Sequence, residues 1–136
     1  MIRKSTAVWI GSGKEGKGKL TSQSGVLAEA QYSYSSRFEE GIGTNPEELI
    51  AAAHAGCFTL KLSFILGENG FTPERLETQC KVTIESGVIS NSDLEVKGTV
   101  PGITNEVWQE CVKKAEENCP VSKALKIEIS AKGTLV

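Results

Sequence analysis

Histidine and aspartate each occur once in this 136-residue chain, as His54 and Asp93, and arginine only as Arg3, Arg37 and Arg75. A Ser-His-Asp hydrolase is therefore disfavoured, since His54 lies in an apolar run and Asp93 in a strand-like stretch. The four cysteines, at 57, 80, 111 and 119, include no C-x₂₋₄-C pair, which speaks against zinc, and no metal site is expected. Excess positive charge is lacking too. With 15 Lys+Arg against 17 Asp+Glu and a net charge of −2, a nucleic-acid partner held through phosphates is not expected. Repeats, low-complexity tracts and Pro-rich linkers are missing, and the length suits a single domain, 1–136. No export signal is legible at the start, so the thiols are expected to be reduced, in the cytoplasm. The most apolar window, 49–67, is interrupted by His54 and Lys61. It reads as a buried helix, without a membrane partner.

Hydrophobic residues make up 39% and charged residues 24%, enough for a packed core. The first 36 residues read as extended, with strands at 5–10, 17–22 and 26–34, the last alternating with period two. Gly11-Ser12-Gly13-Lys14-Glu15-Gly16 matches G-x-G-x-x-G, but no helical period follows and Gly18 stands where a Walker loop needs Ser or Thr. A hairpin loop is the better reading. Thr44-Asn45-Pro46-Glu47-Glu48 opens a helix with capping residues, Pro at the first turn and acids at the positive dipole end. From 49 to 66 that helix is apolar on every side, which requires cover on every side, part of it from a partner subunit. Residues 76–85 alternate as a half-buried strand, a turn is expected at 87–92 and a strand at 93–100. An amphipathic helix at 104–118 precedes a last strand at 127–132. The fold class is α+β, with two antiparallel β-sheet regions around a long buried central helix.

Of the thiols, Cys80 and Cys111 fall on apolar stripes, where cysteine acts as a small hydrophobe. Cys57 lies among small residues, Ala53-His54-Ala55-Gly56-Cys57-Phe58; on a buried helix such a cysteine can equally be inert. Cys119 precedes Pro120, which ends the preceding helix and can open another over 120–123. His54, three residues before Cys57, is within helical reach of it, as a core residue or as half of an acyl-transfer dyad.

Taken together, Thr44-Asn45-Pro46-Glu47-Glu48-Leu49, then Ala55-Gly56-Cys57-Phe58, then Cys119-Pro120-Val121-Ser122-Lys123-Ala124 resemble the osmotically inducible protein C and organic hydroperoxide resistance family. Arg37, in Ser36-Arg37-Phe38-Glu39, stands where the osmotically inducible branch keeps its arginine; Arg3 is the weaker candidate. The resemblance implies an intertwined homodimer with active sites at the subunit interface. It also implies a thiol peroxidase whose catalytic residues are Cys57, Cys119, Arg37 and Glu47. Cys57 would attack a hydroperoxide, Cys119 would close a disulfide with it, and an external dithiol would reduce that bond. Haem, flavin and other cofactors are not expected.

The chemistry of the side chains agrees with those roles. A thiol with pKa of about 8.5 needs a cation to ionise at neutral pH, and Arg37 keeps its charge when buried. Glu47 would orient it. A solvated Arg37 and a Glu47 that merely faces the helix dipole are the alternative. Glu47 and Cys57 are ten residues apart, about 15 Å of helical rise. For Arg37 to serve both, the helix must break near 51–56, or Arg37 or Glu47 must come from another subunit. Apolar side chains such as Phe58 point to a preference for organic hydroperoxides, though the resemblance implies activity on hydrogen peroxide too; Phe38, Phe58 and Trp108 read as packing residues before a ligand box. Two rival functions remain: a non-catalytic binding or structural member of the same fold, and a thiol hydrolase using Cys57 and His54.

Overall fold

The computed structural model describes all residues, 1–136, as two compact units, Met1–Leu49 and Ile50–Val136. In chain order the elements are β1 (Ser5–Ile10), β2 (Lys17–Ser22), β3 (Ala30–Tyr32), α1 (Tyr34–Phe38) and α2 (Pro46–Glu68). Then follow β4 (Arg75–Glu85), β5 (Val88–Thr99), α3 (Asn105–Asn118), α4 (Pro120–Ala124) and β6 (Glu128–Leu135). The α+β class expected from the sequence is what the chain adopts.

In the first unit, β1, β2 and β3 form an antiparallel sheet in that order. Ile10 pairs with Lys17, so the glycine-rich stretch between them closes a hairpin and leads into a strand. It has no helix N-terminus to offer a phosphate. Trp9 and Tyr32 lie 5.4 Å apart, centroid to centroid, and Gly18 sits against both rings where a Cβ would collide. β3 is far shorter than the alternation over 26–34 implied. The chain turns instead into α1, which the extended reading missed. Ser33 and Ser36 build this helix by reciprocal capping: Ser36 N–H donates to Ser33 Oγ at 3.2 Å and Ser33 N–H to Ser36 Oγ at 2.7 Å.

In the second unit, β4 and β5 are antiparallel, joined by a tight turn at Ser86 and Gly87, both at positive φ. β5 therefore begins at Val88, earlier than the turn expected at 87–92. β6 runs parallel to β5, from Asn91↔Glu128 to Gly98↔Leu135. The second sheet is thus mixed, which corrects the wholly antiparallel expectation. The reason is the connection: α3 and α4 intervene, and a helical crossover returns the chain in the same direction. The core here joins Phe58, Leu62 and Leu66 of α2, Leu94 and Val96 of β5, and Trp108, Val112 and Ala115 of α3. Each large apolar side chain so buried contributes about 1.5–3 kcal/mol. Trp108 lies over Gly98 and Gly133, where any Cβ would run into its ring.

The central helix is apolar on every side, as its sequence read. It is long and apolar enough to cross a membrane by length and composition. Yet it is not covered all round, for Leu60 is 60% and Phe64 63% exposed while Phe58 and Leu62 are fully buried. One face packs against the second sheet's unit; the other is open.

Candidate active site

Cys57 projects from the middle of α2, and Cys119 occupies the joint between α3 and α4. Cys119 closes α3, its N–H donating to Ala115 O at 2.9 Å, and at φ −64°, ψ 123° it also starts α4. Pro120 enforces that extended geometry on the residue before it. The thiols of Cys57 and Cys119 are neighbours, close enough for Cys119 to act on the Cys57 titration, and the Val121 N–H lies on the same side of the Cys57 sulfur. Both cysteines are free thiols. Burial pushes the Cys57 pKa up and the neighbouring Cys119 thiol adds to this; the Val121 N–H and the Lys61 charge pull it partly back. Within its own unit, Cys57 is thus a protonated thiol held beside a second thiol.

His54 lies one turn before Cys57 but does not bond to it. Its Nδ1 is 2.6 Å from Ser92 Oγ and its Nε2 is 2.8 Å from Ser122 Oγ. Both ring nitrogens are occupied, so the acyl-transfer dyad of Cys57 and His54 finds no support. The ring is fully buried, and that burial lowers its pKa. Ser92 Oγ also lies 3.2 Å from Cys80 Sγ, so Cys80 belongs to a polar chain instead of a purely apolar stripe. Burial raises the Cys80 pKa, opposed by this bond to Ser92. Cys111, by contrast, is a core residue with a pKa raised by burial. Sequence reading missed Ser92, Ser122 and the Val121 N–H. The only signals were a serine at an inward position of β5 and the Ser of Cys-Pro-Val-Ser.

In the first unit, Arg37 and Glu47 form a pair. Arg37 Nε donates to Glu47 Oε1 at 2.9 Å, and its NH2 approaches the same oxygen at 2.9 Å. α1 supplies Arg37 and the first turn of α2 supplies Glu47. Between them Asn45 ties the two helices, its Nδ2 donating to Ser36 O at 3.0 Å while its Oδ1 accepts from Glu48 N–H at 2.7 Å. Gly43, at φ +111°, lets Thr44 N–H reach Gln31 O at 2.9 Å; a Cβ there would strike that carbonyl. Glu47 is 7% exposed, and its second oxygen, Oε2, has no partner. The Arg37 guanidinium also stacks 5.0 Å from the Phe38 ring centre. Glu47 is thus engaged by more than the helix dipole, while Arg37 remains solvent-exposed, its side chain 38% accessible as it reaches Glu47. Arg3 is exposed and reaches only the carbonyl of Ile2.

α2 is continuous from Pro46 to Glu68. The break near 51–56, one of the two ways for Arg37 to serve both Glu47 and Cys57, is absent. Phe58 is fully buried, as its reading as a packing residue required, and so lines no substrate cavity.

A paired-thiol site on a helix over a mixed sheet, with a separate ion pair between an exposed arginine and a buried carboxylate, defines a class of cysteine-bearing α+β proteins. The OsmC-like protein family model matches residues 39–132, and the chain belongs to that family. It is 44% identical over 132 residues to the peroxiredoxin OsmC of Escherichia coli K12, covering 94% of this chain and 92% of that one. It is 31% identical over 102 residues to the organic hydroperoxide resistance protein of Xanthomonas axonopodis pv. citri, covering 70% and 68%. The crystal structure of OhrB of Bacillus subtilis, an organic hydroperoxide resistance protein, matches with a TM-score of 0.67 at 27% identity, over 98% of both chains. An OsmC-like protein from Mycoplasma pneumoniae shares the fold at a TM-score of 0.76 and 14% identity, over 100% of this chain and 98% of that one.

Proposed function

We propose that this protein is a cysteine-based peroxidase for hydroperoxides, with Cys57 as nucleophile and Cys119 as its resolving partner. The observation that carries the reading is the juxtaposition of these two thiols, from positions 62 residues apart in sequence. The Cys57 thiolate attacks the O–O bond of ROOH; the leaving oxygen takes a proton and departs as ROH, and Cys57 becomes sulfenic acid. The Cys119 thiol then attacks that sulfur, water leaves, and a disulfide forms, which an external dithiol reduces by two exchange steps.

Arg37, oriented by Glu47, adds to the weak pull of Lys61 the positive charge that Cys57 needs to ionise, and stabilises the developing alkoxide. With α2 unbroken, we assign that guanidinium to the Cys57 of a second subunit, in a homodimer of single-domain chains. The open face of α2 supports the pairing, for Leu60 and Phe64 leave more apolar surface in water than a monomer usually does. Organic hydroperoxides as substrates are supported by the 31% identity to an organic hydroperoxide resistance protein. The cycle requires a compartment that keeps thiols reduced, as the cytoplasm does. The test is consumption of cumene hydroperoxide and hydrogen peroxide by wild type, Cys57→Ser and Cys119→Ser. Cys57→Ser should show no turnover, and Cys119→Ser one oxidation event that stops at sulfenic acid. Turnover that survives Cys57→Ser would refute the assignment.

A further inference from the structure

We propose that His54 is a positioning residue for the disulfide-forming step: by bonding Ser122 it holds the segment that carries Cys119 against α2. The inference rests on the reading that Cys57 and Cys119 are the redox pair.

α4 has five residues, too few to persist as a helix on its own account. Something must dock it if Cys119 is to stay beside Cys57. α2 grips this segment from one face at two neighbouring points, because residues three apart lie one above the other on a helix. Cys57 meets the Cys119 thiol and the Val121 N–H, and one turn earlier His54 Nε2 meets Ser122 Oγ at 2.8 Å. The imidazole is braced from behind by β5, where Ser92 Oγ lies 2.6 Å from Nδ1 and is itself fully buried. Ser92 in turn is bonded to the Cys80 thiol.

The whole chain, Cys80–Ser92–His54–Ser122, is satisfied in either imidazole tautomer, since each hydroxyl can donate or accept. A buried polar chain of this kind holds one geometry when complete and is unfavourable when a member is missing. It crosses from strand to central helix to α4, and α4 follows directly on the resolving thiol. With both ring nitrogens engaged by Ser92 and Ser122, and burial favouring the neutral ring, the part of the imidazole is structural.

Cys57 sulfenic acid formed from ROOH has two fates. Attack by the Cys119 sulfur gives the disulfide and water; a second ROOH gives sulfinic acid and ROH. Positioning decides the ratio, because an intramolecular step is fast only while its partners are held in place.

The experiment is single-turnover oxidation with cumene hydroperoxide, quenched with dimedone and read by intact mass. It compares wild type, Ser122→Ala, His54→Asn and His54→Gln. Asn places its amide nearer the Nδ1 position and faces Ser92; Gln extends to the Nε2 position and faces Ser122. Ser122→Ala and His54→Asn should slow disulfide formation about fivefold, the worth of one net hydrogen bond, and raise the sulfenic and sulfinic fractions. The rate at which Cys57 is first oxidised should change far less, and His54→Gln should restore the disulfide step. Ser122→Ala is the milder change and decides the matter if His54→Asn does not fold. Equal slowing of both steps, no slowing of the second, or a Gln variant as slow as Asn would overturn the proposal. A wild type that forms no Cys57–Cys119 disulfide would overturn the parent reading, and this one with it.

Discussion

Every large apolar side chain that is fully buried belongs to the unit Ile50–Val136, while the buried residues of Met1–Leu49 are Gly16, Gly18, Ser36 and Glu47. The second unit is held by a packed core around Trp108. The first is held by strand pairing, serine caps and two ion pairs, Lys19–Glu29 and Arg37–Glu47, with all six residues of β1 exposed. Small assemblies without a core need an outside surface to complete them. The difference teaches that the two halves of the proposed chemistry rest on different kinds of support: thiols on packing, and the cation on hydrogen bonds.

The contrast breaks most visibly at the tryptophans. Trp108→Ala should lower stability by about 3–5 kcal/mol, the usual result of emptying a large buried site. Trp9, 36% exposed on β1, should lose about 1 kcal/mol or less on the same change. Chemical denaturation of both variants checks the ordering, and equal losses would mean that the first unit has a core of its own.

The next effect tests whether the two kinds of support work together. Alone in its unit, the Cys57 thiol is pushed upward by burial and by Cys119. If Arg37 acts on it in the assembled protein, alkylation of Cys57 by iodoacetamide should proceed readily near neutral pH. Arg37→Met should move that titration to the alkaline side of an ordinary thiol, and Glu47→Gln should move it part of the way. Identical pH profiles for wild type and Arg37→Met would separate the ion pair from the thiol chemistry altogether.

A smaller effect belongs to the second unit alone. Because burial lowers the His54 pKa below its ordinary 6.5, the unfolded chain binds a proton in a window where the folded chain does not. Stability then rises with pH through that window. The contribution is complete above about 6.5 and is lost as the pH falls toward the lowered folded value. His54→Gln should flatten the acid side of the stability curve, as followed by thermal melts between pH 7 and 5. A slope that persists in the variant would assign it to other groups.

These regions also differed in how far they could be read from sequence. α3 was legible because Val107, Cys111 and Ala115 recur at helical spacing, and α2 because Asn45 and Pro46 open it in the usual way. The cysteines were legible as chemistry because Pro120 follows one and small residues surround the other. The direction of β6 was not, since a strand's alternation is the same whether it pairs parallel or antiparallel. Nor was the His54 chain, whose partners lie 38 and 68 residues away and meet only when β5, α2 and α4 pack. α2 looked apolar all round in sequence, but composition cannot say which face another element will cover.

The smallest effect returns to the first unit and to the helix that sequence reading missed. α1 is five residues long and holds Arg37 one position before its end, so its persistence rests on the reciprocal capping of Ser33 and Ser36. Ser33→Ala removes the acceptor for Ser36 N–H and should cost about 1 kcal/mol of local stability. Global unfolding should scarcely register it, because no core packing depends on α1. The Arg37–Glu47 pair should register it instead: with α1 frayed, the guanidinium loses its fixed approach to Glu47 Oε1. Cys57 alkylation in Ser33→Ala should then shift toward the behaviour of Arg37→Met, by less than Glu47→Gln does. A Cys57 titration unmoved by Ser33→Ala, beside one moved by Arg37→Met, would show that the pair keeps its geometry from Asn45 and Phe38 without the cap.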